Sequence, residues 1–216
     1  MSKSILSICF VLVLMSKICA QDKFVFPNST DLGLNITNVL SSFIGNTNGE
    51  VDIESFPFMV KVNRKKNAVR FGLGVNLGNT NELLADVEQF IFNNYQLNAR
   101  VGFERKKYLG NKFGFFYGLD LVSTYKNQES TFSNNIDISS IIENTIGYGG
   151  GPVYGFEYYL NKFMYFGAEG SFYGIYTSSN RKETFEFNPS INSERQSSGF
   201  NARLTAPTRL YIMVRF

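Results

Sequence analysis

Leu204, Ala206, Thr208, Leu210, Ile212, Val214 and Phe216 share one parity of the final segment, and Arg203, Thr205, Arg209, Tyr211 and Arg215 share the other. Successive side chains of a strand point to opposite faces, so this segment has one apolar face and one cationic face. Coiled as a helix, it would scatter arginine around the whole circumference. A strict period of two over so long a run leaves only an extended chain with two chemically different sides.

The same alternation recurs through most of the chain. In 68–78, Val69, Phe71, Leu73, Val75 and Leu77 oppose Arg70, Gly72, Gly74, Asn76 and Gly78. In 94–106, Tyr95, Leu97, Ala99, Val101 and Phe103 oppose Gln96, Asn98, Arg100, Glu104 and Lys106. In 113–126, Phe113, Phe115, Tyr117, Leu119 and Leu121 oppose Gly114, Gly118, Asp120 and Thr124. The run 145–160 sets Ile146, Tyr148, Tyr154, Phe156, Tyr158 and Leu160 against glycines and Glu157. In 163–176, Met164, Phe166, Ala168 and Phe172 oppose Glu169, Ser171 and Tyr173. Shorter runs at 30–40 (Leu32, Leu34, Ile36, Leu40) and 56–65 (Phe56, Phe58, Val60 and Val62 against Lys61, Asn63 and Lys65) bring the expected strands to about eight.

Length and connections then select the architecture. A strand needs roughly 9–11 residues to cross a bilayer, whereas globular strands average about 5–6. Most of these runs have the longer span. Short Asn/Lys/Gly turns at Asn63–Asn67, Lys107–Lys112 and Asn161-Lys162 alternate with long polar connections at Ser41–Ile53, Asn79–Asn93, Asn127–Asn144 and Thr177–Asn201. Short turns at one end and long loops at the other are the asymmetry of an outer-membrane barrel. The expected fold is therefore all-β, an up-and-down antiparallel transmembrane barrel. Within the second long connection, Glu82 to Phe92 has helical spacing; a short amphipathic helix and an extension of the neighbouring strand are both compatible with it.

The first twenty residues read as a cleaved signal peptide. Lys3 supplies the positive start, Ile5 to Met15 the apolar stretch, and Ile18-Cys19-Ala20 the cleavage site. Lys17 and Ile18 stand where a lipidated Cys19 would need small residues. The expected barrel domain is then 21–216. Removing the leader takes away Lys3 and Lys17 and no acid, so the mature chain is close to neutral. Mean hydropathy is −0.11, as expected when lipid-facing and interior residues alternate.

Composition excludes several functions. The chain has no histidine, and Cys9 and Cys19 are its two cysteines. No Ser-His nucleophile can be built, and the mature chain has neither a disulfide framework nor a Cys/His metal site. No enzyme activity and no cofactor is expected. Basic residues form no groove-binding stripe, so nucleic acid is not an expected partner.

With apolar faces in lipid, the polar parity lines the lumen. The expected interior charge network is Lys61, Arg70, Arg100, Glu104, Asp120, Glu157, Glu169, Arg203 and Arg209, with Arg215 near the rim. Such charges persist inside only when paired. A rigid salt-bridge plug and a narrow channel with exchanging partners both fit. Tyr95, Phe103, Phe113, Tyr125, Tyr148, Tyr158, Tyr176 and Phe216 fall near strand ends on the outward faces, where aromatic rings form interfacial girdles.

The terminal Leu210-Tyr211-Ile212-Met213-Val214-Arg215-Phe216, the glycine-rich Gly147–Gly155 with its Gly151-Pro152 pair, and the alternation together resemble the outer-membrane protein β-barrel domain family and small OmpA/OmpX-type barrels. The resemblance covers Asp31 to Phe216. It implies a location in the outer membrane, a lipid-bilayer partner and a final strand (Leu210, Tyr211, Ile212, Val214, Phe216) read by the barrel-assembly machinery. It implies no activity. The expected role is a non-enzymatic scaffold whose long loops meet an external ligand of unknown kind in adhesion or envelope organisation. A small pore or conduit for small or apolar solutes, and a soluble lipocalin-like barrel with inverted faces, are the alternatives.

Overall fold

The structure, a computed structural model, describes residues 28–37, 56–85, 88–133 and 138–216. The expected signal peptide and the Ser41–Ile53 connection lie outside the described residues. The strands are β1 (Asn28–Asn35), β2 (Phe58–Arg64), β3 (Asn67–Ala85), β4 (Glu88–Leu109), β5 (Phe113–Ser133), β6 (Ile138–Tyr159), β7 (Met164–Phe185) and β8 (Ser193–Arg215). Each pairs antiparallel with the next, and β1 also pairs with β8, so the sheet closes on itself. The chain is an eight-stranded up-and-down barrel.

Alternation sets the faces. Leu73, Val75, Leu77, Leu97, Leu119, Leu121, Phe172 and Leu204 stand outward and exposed. Charged residues of the opposite parity turn inward and are buried. An eight-stranded barrel is just wide enough for side chains to fill it. The outward aromatics cluster near both ends of the apolar belt. Phe113 and Tyr158 meet at 4.9 Å between ring centroids at one end, and Tyr148 and Tyr176 at 5.5 Å at the other.

The two ends differ. At one, the turns are short. Lys65 adopts a left-handed φ of 55° between β2 and β3, and Gly110 one of 71° between β4 and β5. At the other end the strands run far past any belt. β4 has 22 residues, about twice what a bilayer crossing needs.

Three of the expected long loops are thus largely strand. Asn79 pairs with Asn93, Asn127 with Asn144, and Thr177 with Gly199, each inside a continuous ladder. Residues 82–85 belong to β3 and 88–92 to β4, so the helical option for Glu82 to Phe92 gives way to strand extension. Asparagine and serine favour turns in isolation. Here they bond across the ladder: Asn127 Nδ2 donates to Asn144 Oδ1 at 2.7 Å, and Gln89 Nε2 to Asn81 Oδ1 at 3.2 Å. The register established lower in the sheet carries the polar segments along with it.

Phe56 also departs from expectation. Its parity in the sequence points outward, but β2 begins at Phe58, and Phe56 turns into the lumen with 1% exposure. Pro57 lies between them, where the alternation has not yet begun. Lys65, on the polar parity of the same run, sits in the turn.

Gly155 faces inward at a crowded point. A Cβ there would meet the Ala168 carbonyl oxygen and approach Phe116 Cζ to 2.5 Å. Gly155→Val is expected to destabilise the barrel by about 1–3 kcal/mol through overpacking, measured as a lower urea midpoint in detergent. An unchanged midpoint would mean that the wall gives way freely there.

Candidate functional site

Among the described residues, the lumen is where this fold gathers chemistry. Near the turn end, Asp31 of β1 receives Arg215 of β8: Nε to Oδ1 at 2.9 Å and an Nη to Oδ2 at 3.0 Å. Tyr165 donates its hydroxyl to the same carboxylate at 2.6 Å. Tyr159 and Tyr165 lie 5.0 Å apart by ring centroid, with the Arg215 guanidinium 5.3 and 5.2 Å from them. Met59, Tyr211 and Met213 complete this buried layer.

Above it, two lysines bridge two glutamates. Lys61 Nζ is 3.1 Å from Glu104 and 3.0 Å from Glu157, while Lys106 Nζ is 3.4 and 3.0 Å from the same pair. Tyr159 also donates to Glu157. Lys61 lies 4.3 Å from the centre of the Phe116 ring, which offers its negative π face to the ammonium.

The next layer centres on Arg70, fully buried, which reaches Glu104 at 3.2 Å, Asp120 at 3.1 Å and Glu169 at 2.7 Å. Arg100 bonds Glu169, lies 3.6 Å from Asp120 and donates to the Tyr211 hydroxyl at 3.3 Å. Tyr173 donates to Asp120 at 2.5 Å. Phe56 closes the stack from the far side, its ring centre 4.5 Å from the Arg100 guanidinium.

Seven of the expected residues, Lys61, Arg70, Arg100, Glu104, Asp120, Glu157 and Glu169, therefore meet in one connected lattice. Arg209 lies beside it, buried, paired in register with Glu169 and donating to Ser171 Oγ at 3.4 Å. Arg203 stands apart from these buried layers. It is exposed, opposite Tyr173 in the ladder and six residues beyond Arg209 along β8, at the mouth above Phe56. Asp31 and Lys106 belong to the lattice and are absent from the expected network. Both have the inward parity; Asp31 stands between outward Thr30 and Leu32 in a strand short enough to hide the pattern. Tyr159, Tyr165 and Tyr173, also inward, supply hydroxyl donors that charge counting overlooks.

Of the terminal residues, Leu210, Ile212 and Val214 are half-buried and Phe216 is exposed on the outside, while Tyr211 points into the lumen at 2% exposure. Above the lattice a pocket of about 120 Å³ opens toward the long hairpins. Its floor is Phe56, Val122, Tyr173 and Ile175; Asn98, Thr124 and Arg203 stand among its polar walls.

No known family model matches this chain. No curated protein sequence matches it either. Among solved structures, the crystal structure of a major outer membrane protein from Thermus thermophilus is similar over 88% of this chain and 98% of that one, with 15% identity and a TM-score of 0.39. The architecture is carried by the chain's own ladders.

Proposed function

We propose that the chain is a non-enzymatic outer-membrane protein whose plugged barrel serves as a rigid scaffold for three tall hairpins on the cell surface. Two features support the membrane setting. Rows of exposed Leu, Phe and Val circle the outside, where water would make an apolar patch of that extent costly. The belt is also edged by aromatics, as in barrels that sit in lipid. On this reading the short-turn end faces the periplasm.

The observation that carries the scaffold role is the luminal lattice. Side chains from Asp31 to Arg215 fill the cross-section and bond one another, leaving the charges little reason to exchange partners. A soluble lipocalin-like barrel would need the opposite faces, with apolar residues inside. Beyond the belt, β4, β5, β6, β7 and β8 each continue for about ten residues. At about 3.3 Å per residue they stand roughly 30 Å clear of the membrane, enough to present Asn-, Ser- and Thr-rich surfaces to a neighbouring cell or envelope component.

The test begins with outer membranes of a Gram-negative host expressing the full chain. A band in that fraction, shifted in gel mobility by boiling, is expected, and purified protein in planar bilayers is expected to give no steady conductance. Stable ion channels would replace the scaffold reading with the pore reading. Soluble, unshifted periplasmic protein would remove both.

A further inference from the structure

Charge on the outside of the barrel is segregated. At the short-turn end Arg64, Lys65, Lys66, Arg105, Lys107, Lys112 and Lys162 are all exposed. The acids of that end, Asp31, Glu104 and Glu157, are buried in the lumen, so no exposed Asp or Glu side chain offsets those cations among the described residues. The hairpin end instead mixes exposed acids such as Glu82, Glu186 and Glu194 with its bases.

Part of this collar is built as a site. Val62, Val69 and Phe103 are direct partners across β2, β3 and β4, and they form one outward apolar row. Two residues nearer the turns, Arg64, Asn67 and Arg105 are direct partners across the same three strands, also exposed. Same-face residues along a strand are about 6.5–7 Å apart, and neighbouring strands about 4.8 Å. An Arg-Asn-Arg row thus lies immediately below an apolar row, each arginine one strand from Asn67 and the two about 10 Å apart at the backbone. An outer groove of about 470 Å³ runs over Val62, Val69, Phe71 and Phe103 down to Arg64 and Asn67.

We propose that this groove binds an anionic phospholipid of the periplasmic leaflet, its acyl chain along the Val62–Val69–Phe103 row and its phosphate between Arg64 and Arg105. The assignment rests on the membrane reading above, since it requires the apolar row to lie in lipid. Arginine forks match phosphate oxygens in geometry and charge, and the Asn67 amide can add a donor. Lys107, on the outward parity of β4 two residues beyond Arg105, adds charge beside the same headgroup level. A zwitterionic lipid would bring its own cation into this collar and be disfavoured.

The test uses full-length protein reconstituted in phosphatidylcholine vesicles containing phosphatidylglycerol, then extracted into nonionic detergent, with retained lipid read by native mass spectrometry. Wild type is expected to retain phosphatidylglycerol in preference to phosphatidylcholine. Arg64→Gln with Arg105→Gln is expected to lower that preference about fivefold for each charge removed, whereas Lys182→Gln at the other end leaves it unchanged. Equal retention of both lipids by wild type, or an undiminished preference in the double variant, overturns the proposal. Should the double variant fail to close, Arg105→Gln alone is read in the same way. A chain that inserts and shows the heat shift but lacks lipid preference defeats this site alone; one that never inserts defeats the membrane reading as well.

Discussion

Arg70→Ala is expected to cost the barrel about 3–5 kcal/mol, the penalty for leaving buried charge without its partner. Arg70 is the shared cation of Glu104, Asp120 and Glu169, which come from three other strands. Its removal leaves Lys61, Lys106 and Arg100 facing those acids with poorer geometry, and opens a void in a fully buried layer. The urea midpoint in detergent should fall, and the heat-shifted band should unfold at lower temperature. Arg70→Lys should recover part of the loss, because one ammonium restores the charge but not the fork that reaches three carboxylates. On the scaffold reading the same variant should admit ions where wild type does not. A wild-type midpoint for Arg70→Ala would show that the lattice is not what holds the barrel together.

The second large effect is expected at the closing seam. β1 and β8 are registered over Asp31–Asn35 and Arg215–Tyr211, a short ladder beside the long ones elsewhere. Asp31 and Arg215 are directly opposite there and joined by two hydrogen bonds. Asp31→Ala removes the carboxylate that takes two hydrogen bonds from Arg215 and one from Tyr165 in a buried layer, again a loss of about 3–5 kcal/mol. Because this pair ties the first strand to the last, the loss should appear as open, unshifted protein on gels and as faster unfolding. Asp31→Asn keeps acceptor and shape and should close more often than the alanine variant. Equal closure of wild type and Asp31→Ala would place the strength of the seam in its backbone ladder.

Parity was legible throughout. Arg70, Arg100, Glu104, Asp120, Glu157 and Glu169 could be sent inward from the sequence because a strand turns every other side chain the same way, whatever its neighbours do. The strand count and the short turns followed from the same local rule. Parity fails where a strand has not yet begun, as at Phe56, which precedes β2 and enters the lumen. At Arg203 parity holds, but parity carries no height, and the residue stands at the mouth rather than in the buried layers. Polar segments such as 127–133 carry no apolar face to mark them, so their continuation as strand could not be read.

What the sequence by itself determined is the two-sided alternation within each strand, and hence an all-β fold whose strands each carry one apolar and one polar face. Only the tertiary structure decided who meets whom. Lys61 and Glu157 are 96 residues apart in sequence yet bond at 3.0 Å, and Arg64, Asn67 and Arg105 align in one outward row. The physical reason is that alternation is a property of each strand alone. Contacts across the lumen and along a rung depend on the stagger between strands, which is fixed when the hydrogen-bonded ring closes.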